Sequence, residues 1–124
     1  MYKNAQTNRI IEHIKDECGA EPEFLWPDRY PTYCIFRHKD NKKWFALVGS
    51  IPSMSLGIED DGKVEIINLK FDKNQALDFA DSNEHIFPAY HMNKKNWITI
   101  WLDGTLSDEL VFELIKKSYL LSDK

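Results

Sequence analysis

With 124 residues, 43% of them hydrophobic and 13% aromatic, the chain is long and apolar enough for one folded domain spanning 1–124, and it is no disordered tail. Its formal net charge of −4 argues against a protein that coats nucleic acid over its whole surface. No apolar run approaches the roughly 20 residues of a membrane span, so no membrane association is expected.

The opening residues, "MYKNAQTNRIIEHIKDEC", are charged throughout and lack an apolar signal-peptide core, so a cytoplasmic protein is expected. Within them Ile10, Ile11, Ile14 and Cys18 recur at helical spacing, and Gly19 is a stop signal, which predicts a helix over about 4–18. "GAEPEFLWPDRYP" carries Pro22, Pro27 and Pro31 and must be extended or turning. "TYCIFRH" and "KWFALVGS" read as two strands joined by the hairpin loop "KDNK". After the turn-rich "SIPSMSLGIEDDG" comes a third strand, "KVEIINLKF".

"DKNQALDFADS" predicts a short helix capped by Asp72, with Gln75 three residues on. "NWITIWLD" is a strand with Ile98, Ile100 and Leu102 on the side expected to meet helices, and Trp97, Thr99 and Trp101 on the other. "GTLSDELVFELIKKSYLL" is the strongest helix signal: Thr105 or Ser107 at the cap, Asp108 and Glu109 in the first turn, and Lys116 and Lys117 near the end. Leu106, Leu110, Leu114, Ile115 and Leu121 give it an apolar face. The order α-β-β-β-α-β-α, with hairpin-length connections, predicts an α+β fold: an antiparallel sheet of four to five strands packed with three helices.

Few residues carry recognisable chemistry. "GIEDDGKV" approaches the phosphate loop G-x-x-x-x-G-K-S/T, but Val64 stands where the hydroxyl belongs and Glu59, Asp60 and Asp61 repel phosphate. Asp61-Gly62 reads instead as a turn. His13, His38, His85 and His91 form no metal-ligand spacing, so no metal and no cofactor are expected. Cys18 and Cys34 read as buried thiols, and Cys34, mid-strand and in apolar company, as an inert one. Ser118 lies late in a helix, outside any nucleophile elbow. No catalytic residue is assigned and the chain reads as non-enzymatic; the enzymatic alternative is His91 as a general base with Lys70 or Lys94 holding an anion.

The charge is unevenly spread. From Arg29 to Gly57 five basic residues face Asp40 alone, and from His85 to Leu102 Lys94 and Lys95 face no acid, whereas Ile58 to Glu84 holds eight acids against three lysines. Trp44, Phe45, Tyr90, Trp97, Trp101 and Tyr119 are either a base-stacking platform beside these lysines or the packing of a sheet covered on both faces, the reading the alternation favours.

Lys70 with the short helix after it, "PAYHMNKKNWITIWLDG", the Ser118-Tyr119 pair of the last helix and, upstream, "PTYCIFRHKDNKKWFALV" resemble the MmcQ/YjbR family over nearly the whole chain. Asn96 stands where that family often has a histidine. The resemblance implies a YjbR-like α+β fold of the kind also seen in secretion chaperones. It further implies a DNA-binding protein, possibly regulatory, with hairpin loops in a "double wing" as the contact. DNA is then the expected partner, with Lys42, Lys43, Lys70, Lys94 and Lys95 on phosphates and His91 and Asn93 on base edges or sugar. The alternative is a protein-interaction or chaperone-like module, with the acidic stretch Glu59 to Glu84 and an exposed part of the aromatic face as its surface. A monomer or weak dimer is expected.

Overall fold

From Val64 to Leu69 every residue is buried, the mark of a strand covered on both faces, and this strand (β3, Lys63–Lys70) is the centre of the sheet. The computed structural model describes residues 2–59 and 62–123. Among them, three helices and five strands follow in the order α1 (Ala5–Cys18), β1 (Cys34–Arg37), β2 (Trp44–Pro52), β3, α2 (Ala76–Asp81), β4 (Ile86–Pro88), β5 (Trp97–Trp101) and α3 (Asp108–Ser122). The sheet is antiparallel throughout, in the order β1-β2-β3-β5-β4. Each prediction of element type holds, and β4 is an addition. Three residues containing Pro88 carry too little alternation to announce a strand, and β4 exists because Ile86 and Phe87 pair with Ile100 and Thr99 at a sheet edge, where proline is tolerated.

One face of the sheet is covered by the helices. Phe36, Phe45, Ile67, Leu69, Ile98 and Ile100 project there against Ile10, Ile11 and Ile14 of α1 and Val111, Leu114 and Ile115 of α3. The prediction for the last strand is therefore correct: Ile98, Ile100 and Leu102 meet the helices. Burial of Phe45, fully sealed here, is of the kind whose truncation to alanine costs ~3–5 kcal/mol. The α3 face is broader than its leucines suggest, because Ser118 and Ser122 are also buried.

Helix ends follow local chemistry. Asn4 caps α1 by accepting from the Gln6 N–H at 2.9 Å, and Gly19 closes it in the left-handed conformation at φ 65°. Ser107, rather than Thr105, caps α3 through the Leu110 N–H. The Asp72 cap is not formed. Residues 72–75 make a turn, α2 starts at Ala76 behind Gln75 without a side-chain cap, and the Asp72 carboxylate instead pairs with Lys117 at 2.6 Å. The tertiary ion pair takes the group that the local sequence offered to the helix. The predicted Asp61-Gly62 turn has Asp61 outside the described residues.

The other face is covered by loops. Ile35, Leu47, Ile51, Val64 and Ile66 pack beneath Trp26, Tyr30 and Tyr33 from the proline-rich segment and beneath Tyr90 from the β4–β5 connection. Gly49 explains how the loop comes so close: a Cβ there would lie 2.7 Å from Cδ1 of Tyr33, so the tyrosine ring rests on bare backbone. Among the described residues no helix is long and apolar enough to cross a membrane.

Candidate functional site

The register brings three chain segments to one end of the sheet. β1 ends and β2 begins at the Arg37–Trp44 pair, β3 ends at Lys70 opposite Trp97, and β4 ends at Pro88 opposite Ile98. The β1–β2 loop, the tip of β3 and the β4–β5 connection therefore emerge side by side. Lys42, Lys43, His91, Asn93, Lys94 and Lys95 are exposed there, and Lys70 is half-buried. All seven residues singled out from the sequence share this end.

The two loops are built alike. Each contains Asn-Lys-Lys just before a tryptophan-led strand, at 41–43 and 93–95. In each, the asparagine Oδ1 accepts the N–H of the second lysine at 2.8 Å, an Asx turn that fixes the lysine pair on the tip. The β1–β2 connection is longer than the predicted "KDNK". A register shift at Phe36/Arg37 ends pairing early, and the loop runs 38–43, closed by the His38 N–H to the Lys43 carbonyl and by Lys42 at φ 64°. The Asn93 carbonyl accepts from both Asn96 and Trp97, and Lys94 Nζ donates to the Ala89 carbonyl at 2.9 Å, which leaves two ammonium hydrogens for another acceptor. Asn96 acts through its backbone, its carbonyl accepting from the Phe71 N–H, a role open to any residue there.

What holds this end together was not legible as such. Ser118 of α3 reaches between β2 and β3 just past their last pair, Ala46–Leu69, donating to the Phe45 carbonyl and accepting from the Lys70 N–H at 2.8 Å. Tyr119 beside it packs on His38 and Phe45. His38, 3% exposed, bonds Ser122 at 3.0 Å, and Asn41 donates to the Ser122 carbonyl. The Ser-Tyr pair therefore fastens α3 to β2 and β3 and, through His38, to the lysine loop. On the other face, buried Asn68 donates to the Tyr90 carbonyl and accepts from the Thr99 hydroxyl, which in turn accepts the Tyr90 N–H. Both backbone groups of Tyr90 are satisfied from the sheet, and this presses the β4–β5 connection across β3.

The pressed connection and the proline-rich loop leave a cleft of about 310 Å³ between them, lined by Trp26, Tyr30, Tyr33, Trp44, Leu47, His91 and Met92. Trp26 meets Trp44 edge-on at 5.9 Å, Tyr30 stacks on Tyr33 at 4.7 Å, and Arg29 lies 5.9 Å above the Tyr30 ring. Burial pushes the Tyr33 hydroxyl up to about 12, helped by the neighbouring Tyr90 and Tyr30. His91, at the rim, is held at φ 62°, a conformation uncommon for a residue other than glycine. The six aromatics read from the sequence do not form one platform. Phe45 and Tyr119 belong to the helix face, Trp44, Tyr90 and Trp101 to the other. The rings that do gather around Trp44 come from "WPDRYPTY", where the i, i+4, i+7 spacing was a signal. Consecutive turns, with the Tyr30 N–H on the Trp26 carbonyl and the Tyr33 N–H on the Tyr30 carbonyl, stack those positions together.

Among the described residues, acids of the 59–84 stretch are dispersed. Glu65, 9% exposed, accepts the Lys3 and Asn4 N–H groups before α1, Asp72 is paired with Lys117, and Asp78, Asp81 and Glu84 follow α2 toward the far end of the sheet. Cys34 is buried as expected, whereas Cys18 is only half-buried; burial pushes the Cys18 thiol up to about 11 and raises that of Cys34 as well.

The family model for YjbR matches residues 18–121. The uncharacterised protein YyaQ of Bacillus subtilis is 35% identical over 113 residues, covering 91% of this chain and 94% of YyaQ. YbdF of Escherichia coli O157:H7 is 40% identical over 58 residues, 47% of this chain and 48% of its own length. A crystal structure of a Pseudomonas syringae protein superposes with a TM-score of 0.87 at 34% identity, covering 98% of this chain and 99% of that one. A Deinococcus radiodurans structure of the DUF419 domain superposes with a TM-score of 0.66 at 27% identity, over 92% and 78% of the two chains.

Proposed function

We propose that this chain, which belongs to the YjbR family, binds DNA through the end of the sheet that carries the paired Asn-Lys-Lys loops. The observation that supports the reading is the convergence itself. Two exposed lysine pairs on similarly fixed tips flank the half-buried Lys70 of β3, while among the described acids Glu65 is buried, Asp72 is paired with Lys117, and Asp78, Asp81 and Glu84 follow α2 toward the other end. The strand starts that bear the tips, Trp44 and Trp97, sit on either side of β3 and so roughly 10 Å apart, two inter-strand spacings. Lysines so placed act as point charges on phosphates and position a strand without reading its sequence. His91 and Asn93, on the same connection, are the polar groups available to base edges or sugar.

Four phosphate contacts, from Lys42, Lys43, Lys94 and Lys95, correspond to a log–log salt slope of about −3.6 on a duplex. Fluorescence anisotropy of a labelled oligonucleotide across a salt series measures it. Each lysine replaced by alanine is expected to make the slope shallower by about 1. Binding that ignores salt, or that survives Lys42→Ala, Lys43→Ala, Lys94→Ala and Lys95→Ala together, rules the reading out.

A further inference from the structure

We infer that the aromatic cleft between the proline-rich loop and the β4–β5 connection receives an unpaired base, so that the ligand is a DNA strand with exposed bases rather than a closed duplex. The inference rests on the DNA-binding reading above and adds the class of DNA. Three features carry it. The cleft of about 310 Å³ is open, and its walls are the half-buried rings of Trp26, Tyr30 and Trp44 with Tyr33 behind them. Planar walls of this kind favour a flat, weakly polar ring, and every nucleobase offers one.

Basic residues adjoin the lining in the chain on both of its sides. Arg29 lies over Tyr30 at 5.9 Å, Lys43 immediately precedes Trp44, and Met92 immediately precedes the Asn93-Lys94-Lys95 turn. A phosphodiester running between the two lysine tips would carry its bases past the mouth of the cleft. A neutral ring alone would have no use for those charges, and a duplex keeps its bases stacked inside. The third feature is His91, a non-glycine residue at φ 62° beside the cleft, its ring tilted by 47° against that of Tyr90 with centroids 4.0 Å apart. The Asn68–Thr99 bonds to Tyr90 hold the residue before it, so the unusual backbone is built in rather than incidental.

The test compares three probes with the full chain: an oligothymidylate of about twelve nucleotides, an abasic oligomer of the same length and charge, and a duplex of the same length. The oligothymidylate is expected to bind roughly 5- to 150-fold more tightly than the abasic strand, the range for one to a few kilocalories of stacking, and to quench tryptophan emission. Trp44→Ala should remove that advantage and leave abasic binding unchanged. Met92→Trp, which fills the cleft without removing a wall, should do the same and serves if Trp44→Ala does not fold. Equal affinity for oligothymidylate and abasic strand overturns the inference while leaving the lysine reading intact, and so does a duplex that binds more tightly than the single strand. Saturable binding of free thymidine, with the two strands equal, would mark a small-molecule pocket and likewise overturn it. If no strand binds, both readings fall.

Discussion

Gly49→Ala tests how tightly the loop face is fitted to the sheet. The added Cβ would stand 2.7 Å from Cδ1, 3.1 Å from Cε1 and 3.3 Å from Cγ of Tyr33. Those are ring atoms, 8% exposed overall, stacked on Tyr30 and set edge-on to Trp26, so the ring cannot swing aside as a flexible chain end would. Overpacking of this kind costs ~1–3 kcal/mol. Against it stands the gain of ~0.5–1 kcal/mol when alanine replaces glycine inside a strand. The clash prevails, with a net loss of ~1–2 kcal/mol. Urea unfolding followed by circular dichroism should show the midpoint lowered by about half to one molar with an unchanged slope, taking m as ~2 kcal/mol/M. The same change made on a Tyr33→Ala background should be neutral or stabilising, since the ring it strikes is gone, and the difference is the coupling energy of the pair. A midpoint for Gly49→Ala at or above that of the parent refutes the argument.

Asn68→Ala removes both bonds that Asn68 makes to the β4–β5 connection and its support, and should destabilise by ~1–3 kcal/mol; hydrogen exchange at the Tyr90 amide should quicken if the connection is held as described. At high pH, the raised Tyr33 value means that the folded state keeps a proton that the unfolded state releases near 10. The stability this represents is complete below pH 10 and is lost as pH rises toward 12; the tyrosinate absorbance of Tyr33→Phe should lack one late-titrating group.

Local physics made much of this protein readable in one dimension. Ile10, Ile11 and Ile14 announce α1, the Ser107 cap with Asp108 and Glu109 announces α3, and alternation in "WITIW" tells which side of β5 meets the helices. In each case the signal lies within one turn or one strand pair of its consequence. The lysines were visible too, and so, in retrospect, was the recurrence of Asn-Lys-Lys before a tryptophan. Their companionship was not, because it depends on the strand order β1-β2-β3-β5-β4, which places loops 52 residues apart in the chain at the same sheet end. Tertiary competition also decided where Asp72 went, since Lys117 arrives from α3 and outbids the first turn of α2. Ser118, which the chain presents only as a late helical serine, has meaning only once its hydroxyl stands between the Phe45 carbonyl and the Lys70 N–H. The cleft is the furthest from the sequence. It exists because Gly49 lets Tyr33 lie on the sheet and because Asn68 and Thr99 draw Tyr90 across β3, two long-range contacts that no local period records.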